Sequence, residues 1–114
     1  MNLKGKTVAV TGATGFLGRH IVENLLSRGA NVVGVVRRPD RVPSLLDMGV
    51  EMRRADLMEP DALVRGFEGV DAIVSNAALF RLGNTDWDSH LTINVEGTRN
   101  VIDSVAKASV TRVV

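Results

Sequence analysis

The sequence predicts an α/β fold, a doubly wound parallel sheet with helices on both faces. Three observations lead there. Short runs rich in β-branched residues alternate with amphipathic stretches along the whole chain. Most of those runs are apolar on both faces, which suits strands covered on two sides. Glycine and proline punctuate the joins. Strands alternating with helices imply parallel pairing and right-handed crossovers.

Each element has its own signal. Thr7-Val8-Ala9-Val10-Thr11 reads as a buried first strand. A helix is expected from Phe16 to Arg28, with Leu17, Ile21 and Leu25 at spacing four, joined by Val22 and Leu26, and with Arg19, Glu23 and Arg28 on the polar side. Gly29 ends it as a left-handed residue. Asn31 to Val36 is a second apolar strand, and Pro39 breaks the chain after it. A short helix is expected over Val42 to Met48. Val50-Glu51-Met52-Arg53-Arg54 alternates apolar and polar, the pattern of a strand with one wet face at or near a sheet edge. Pro60 to Phe67 forms a helix with proline in its first turn. Asp71 to Ser75 is the fourth strand. A long helix runs from Trp87 to Ala108, with Leu91, Val95, Ile102 and Val105 as inward candidates, and Val110 to Val114 is the fifth strand. The expected strand order is 3-2-1-4-5, with the ligand crevice at the carboxyl ends of strands one and four, where the order reverses.

Composition narrows the function classes. The 114 residues suffice for one domain with a core, and 45% apolar with 24% charged is ordinary for a soluble protein. A net charge of +1 argues against a polybasic surface, so neither nucleic acid nor membrane is expected as a partner. With no cysteine there is neither a disulfide framework nor a thiolate metal site, and a reducing cytoplasm is the simplest location. No apolar run approaches the roughly 18 residues of a membrane span. The first strand begins after six residues, too early for a signal peptide.

The chemistry lies between the first strand and the first helix, in Gly12-Ala13-Thr14-Gly15-Phe16-Leu17-Gly18. Gly12 lets the chain turn sharply off the strand. Gly15 removes a side chain where a pyrophosphate must approach the backbone, and Gly18 lets helix and strand pack closely. The helix start offers free N–H groups and a partial positive charge to phosphates. The pattern predicts a Rossmann-type dinucleotide-binding unit.

The spacing is Gly-x-x-Gly-x-x-Gly, and here the chain resembles the extended short-chain dehydrogenase/reductase family. The resemblance covers all 114 residues. It rests on Thr11 to Gly18, Ala55-Asp56-Leu57, Asn76-Ala77-Ala78 and Asn94-Val95-Glu96-Gly97-Thr98, in the family's order and spacing. Within the family the chain looks most like the dihydroflavonol-reductase-like and hopanoid-associated sugar-epimerase branch, through Ala77 to Arg81 and Asn94 to Val101. The resemblance implies cofactor contacts from Gly12, Thr14, Gly15, Phe16, Leu17 and Gly18. It implies further contacts from Asp56 and Leu57 beside the adenine, and from Ala77, Ala78 and Asn94. The bland alternative for Asp56 is an N-cap or turn carboxylate. Asn94 either orients a water or bonds a neighbouring backbone group. One departure is Ser75, where relatives often carry histidine.

For the cofactor, strand two ends Val35-Val36-Arg37-Arg38, with no carboxylate before Asp40. An NAD-specific site presents Asp or Glu there. Arginine instead suits a 2′-phosphate. NADP is therefore expected in preference to NAD, with Arg37 and Arg38 as its readers; the bland alternative is solvated loop charges. His20 and His90 have no partner at metal-ligand spacing and read as surface residues. Trp87 reads as a packing or helix-start residue.

In the family, the proton at the carbonyl oxygen is handled by Ser with Tyr-x-x-x-Lys. This chain has no tyrosine. It is expected to be the cofactor-binding part of a longer NADP-dependent reductase or epimerase, with the substrate domain absent. The competing class is a stand-alone nucleotide-binding module. Self-association is also expected, through the edge of strand five or by swapping the terminal helix and strand.

Overall fold

The computed structural model describes residues 2–13, 15–39, 43–76 and 87–114, with side chains described at all of these except 43 and 87–93. The elements are β1 (Thr7–Thr11), α1 (Phe16–Ser27), β2 (Asn31–Val36), α2 (Pro43–Asp47), β3 (Glu51–Arg54), α3 (Pro60–Gly66), β4 (Ala72–Ser75) and α4 (Trp87–Lys107). They form a four-stranded sheet in the order β3-β2-β1-β4. Every pairing is parallel, with Thr11 opposite Val35 on one side and Ser75 on the other.

Period-two alternation sorts the strand side chains onto two cores. Val8, Val10, Val32 and Val36 pack under α1 and α2 with Val22, Leu25 and Leu45. Ala9, Val33, Val35 and Ile73 pack under α3 and α4 with Leu63, Phe67 and Val101. Because both faces are covered, β1 and β2 carry apolar residues at consecutive positions. Gly29 (φ +82°) closes α1 as expected: its N–H donates to Leu26 O and that of Ala30 to Leu25 O.

The fifth segment takes its expected place beside β4, but as a single parallel bridge between Ile73 and Val113. Its first residues serve the end of α4 instead. Ser109 is left-handed (φ +60°), and the Val110 N–H donates to Val105 O, closing the helix. Pairing therefore begins at Arg112, whose carbonyl accepts from Ile73 N, and continues with Ser75 N donating to Val114 O at 2.8 Å.

Two faces differ from expectation. On α4, Val95 (46%) and Ile102 (58%) are exposed, while Val101 and Ser104 are buried; Leu91's side chain lies outside the described residues. The inward face is built partly of polar residues, because Ser104 Oγ satisfies itself by donating to Asn100 O at 2.6 Å. On β3, which is an edge strand as expected, neither face is simply wet. Met52 packs on the α1 and α2 core. Arg53 lies half-buried on the opposite side, tied to the end of α3.

Candidate dinucleotide site

The glycine turn leaves β1 at the centre of the sheet, where β1 lies between β2 and β4. Gly12 has φ +66°, a conformation that L side chains rarely adopt. Gly18, in the first turn of α1, lies against that bend. A Cβ there would overlap the Gly12 carbonyl oxygen and stand 2.9 Å from Ala13 Cα. Both neighbours are backbone, so α1 approaches β1 this closely only with glycine at 18.

Gly15 differs from both. Its φ is −77°, open to any residue, and a Cβ would meet only Gly12 O at an ordinary 3.7 Å. Among the described residues, nothing in the protein itself requires glycine at 15. Gly15 is the N-cap of α1, with no side-chain cap and no acid in the first turn. The first N–H groups of the helix therefore remain available to an anion. Phe16 (84%) and Leu17 (60%) are exposed beside it; Leu17 therefore stands apart from the buried stripe of Val22 and Leu25. Thr14 lies outside the described residues.

A second group gathers at the ends of β2 and β3. Arg37, Arg38, Pro39, Arg54 and Asp56 line one open concavity of about 570 Å³. Asp56 Oδ1 accepts from Met58 N at 2.9 Å, and its carbonyl accepts from Glu59 N. Asp56 thus organises the turn into α3 while facing the concavity. Leu57 is held from behind by α4: its carbonyl accepts from Asn100 Nδ2 at 2.8 Å, and a Cβ at Gly97 would come within 3.1 Å of Leu57 Cδ1.

The end of β4 is pinned to the glycine turn. Asn76 N donates to Thr11 Oγ1 at 2.9 Å, and Asn76 Nδ2 donates to the Gly12 carbonyl at 3.2 Å. Sequence reasoning assigned no role of its own to Asn76, nor to Gly97, Asn100 or Arg54. The blocks containing the first three were visible, but their roles need partners some 40 to 65 residues away. Ala77 and Ala78 lie outside the described residues. Asn94 is half-buried on α4, and its carbonyl accepts from Thr98 Oγ1. His20 is exposed, edge-on to Phe16 with ring centroids 4.6 Å apart. The described residues hold no cluster of metal-ligating side chains.

A glycine turn, an uncapped helix start and a cationic concavity, all at the carboxyl end of a parallel sheet, define a Rossmann-type dinucleotide-binding protein. A phosphate-bearing ligand fits them: among the described residues a Cβ at Gly15 would meet nothing nearer than Gly12 O at 3.7 Å, and the first turn of the helix carries no acidic residue. Residues 12–114 match the family described as NAD(P)H-binding, and the chain belongs to that family.

Similar proteins fall in one superfamily. The chain is 36% identical over 108 residues to sterol demethylase protein B of Methylococcus capsulatus, covering 95% of this chain and 33% of that protein. It is 37% identical over 117 residues to cinnamoyl-CoA reductase 1 of Arabidopsis thaliana, covering 96% and 33%. A short-chain dehydrogenase/reductase superfamily protein from Agrobacterium tumefaciens, solved with bound NAD, superposes with a TM-score of 0.75 at 32% identity, covering 94% of this chain and 31% of that one. The NADPH-dependent quinone oxidoreductase of Escherichia coli, solved with NADPH, gives 0.76 at 28% identity, covering 93% and 35%. The chain thus spans about a third of the length of these relatives. No described helix is long and apolar enough to cross a membrane.

Proposed function

We propose that the chain is the cofactor-binding part of an NADP(H)-dependent reductase or epimerase acting on a carbonyl compound or nucleotide-sugar. The observation that carries this reading is Gly15, a glycine that neither its φ nor any close neighbour among the described residues requires, at the uncapped start of α1. Its purpose is then external: it admits the pyrophosphate to the helix N–H groups. Gly12, Gly18 and Asn76 hold the turn in shape for that approach. Asp56 and Leu57 take the adenine end, Asp56 using the oxygen not committed to Met58. Phe16, Leu17 and Asn94, with Thr14, Ala77 and Ala78, complete the cofactor contacts.

The preference for NADP rests on Arg37 and Arg38, exposed at the end of β2 with no carboxylate beside them on that strand. The bound nicotinamide supplies or accepts a hydride, and the chain's own contribution is to bind and orient it. The matching proton needs a donor. The chain has no tyrosine, so a tyrosine acid of the short-chain family would stand outside these residues. Reduction of aldehydes, ketones or nucleotide-sugars by these 114 residues alone is accordingly not expected.

Calorimetric titration tests the reading. NADPH should bind more tightly than NADH, and Arg37→Ala should weaken NADPH about ten- to a hundredfold while leaving NADH nearly unchanged. Equal losses for both cofactors would remove Arg37 from the 2′-phosphate. We also propose a homodimer, through the outer edge of residues 112–114 or by exchange of α4 with that segment. Exposed Val113 (39%) and Val114 (79%) support the edge. Light scattering over a concentration series should show it; a monomer throughout would contradict it.

A further inference from the structure

We propose that Arg54, on β3, is a specificity-determining residue for the cofactor, closing on the 2′-phosphate opposite Arg37 and Arg38 of the β2 end. The proposal rests on the NADP reading above and adds to it a residue from a different strand. Parallel register sets Arg54 beside Val36, the residue just before Arg37. All three arginines line the same concavity, with Asp56 as the carboxylate among its lining residues. One oxygen of that carboxylate is already held by Met58 N.

The neighbouring Arg53 shows what a structural arginine on this strand does. Its guanidinium donates to Gly66 O at 3.0 Å and Glu68 O at 2.7 Å, and pairs with Glu51 at 2.9 Å. Among the described residues Arg54, Arg37 and Arg38 have no ion pair and no hydrogen bond of this kind. Side chains alternate across a strand, so the two consecutive arginines leave β3 on opposite faces. One is consumed by the end of α3. The other meets two further cations at the rim of an open space. Three guanidiniums and one carboxylate leave the concavity with excess positive charge, and a dianionic phosphate monoester offsets that excess while accepting several charge-assisted bonds. Approach from both strands also makes the grip two-sided, which a pair of arginines on one loop does not provide.

The test compares wild type, Arg54→Ala, Arg54→Gln and Arg37→Ala in titrations with NADPH, NADH, 2′,5′-ADP and 5′-AMP. Melting curves check that each variant is folded, and Arg54→Gln, which keeps the aliphatic stem, serves if Arg54→Ala unfolds. Loss of Arg54 should weaken NADPH and 2′,5′-ADP about tenfold or more while leaving NADH and 5′-AMP nearly unchanged. The two adenosine phosphates separate recognition of the 2′-phosphate from a general pull on any phosphate. An unchanged NADPH affinity in both Arg54 variants, with the Arg37→Ala loss intact, would overturn the role of Arg54 and leave the NADP reading standing. Equal weakening for all four ligands would also overturn it. A wild type that binds NADPH no better than NADH would overturn both.

Discussion

At the amino end of the sheet, Asp71 and Arg53 are used by the protein itself; at the carboxyl end, Arg37, Arg38 and Arg54 have no protein partner among the described residues. Asp71 Oδ2 accepts from Thr7 N at 2.8 Å, fixing the start of β1 to the start of β4. Arg53 donates to the Gly66 carbonyl that ends α3 and to the Glu68 carbonyl just beyond it. At the other end, α1 starts without a side-chain cap, and Arg37, Arg38 and Arg54 line an open concavity. The difference teaches where to look for a ligand: at the end whose polar groups are satisfied least by the protein.

The comparison can be broken most forcefully at Gly18. A Cβ there collides with immovable backbone, so Gly18→Val should destabilise the fold by about 3 kcal/mol or more, read by urea unfolding. A stable, native-like variant would mean that helix and strand are further apart than described.

The two arginines of β3 give the next largest contrast. Arg53→Ala leaves the carbonyls of Gly66 and Glu68 without their donor and should cost about 1–3 kcal/mol. Arg54→Ala, at an exposed position without a protein partner among the described residues, should stay within about 0.5 kcal/mol of wild type. Thermal melts of the two variants side by side decide this. Equal losses would erase the distinction between a structural and a ligand-facing arginine.

What was legible in the sequence was local. β1, α1 and β2 could be read because β-branched runs, helical spacing and the glycine turn all act within a few residues. What was not legible depended on register or on polar groups turned inward. Val95 and Ile102 look like core residues by apolarity, yet α4 buries Ser104 instead, since its hydroxyl bonds the helix's own Asn100 carbonyl. Alternation on β3 suggested a wet face because Arg53 is charged, though its guanidinium reaches the carbonyls that end α3. The fifth strand looked longer than it is because Ser109 and Val110 are spent on closing α4. The meeting of Arg54 with Arg37 required knowing that Arg54 lies beside Val36, which only the β2–β3 register supplies.

The central claim is that the turn between β1 and α1 holds a dinucleotide pyrophosphate, and Gly15→Ala tests it most directly. The protein has room for the added methyl, whose nearest described neighbour would be 3.7 Å away. The fold should therefore lose only about 0.5 kcal/mol, the ordinary difference between glycine and alanine at an N-cap. Calorimetry should show NADPH and NADH both weakened by about tenfold or more, with melting nearly unchanged, because the methyl occupies the pyrophosphate's line of approach. A folded Gly15→Ala protein that binds both cofactors as tightly as wild type would contradict the assignment.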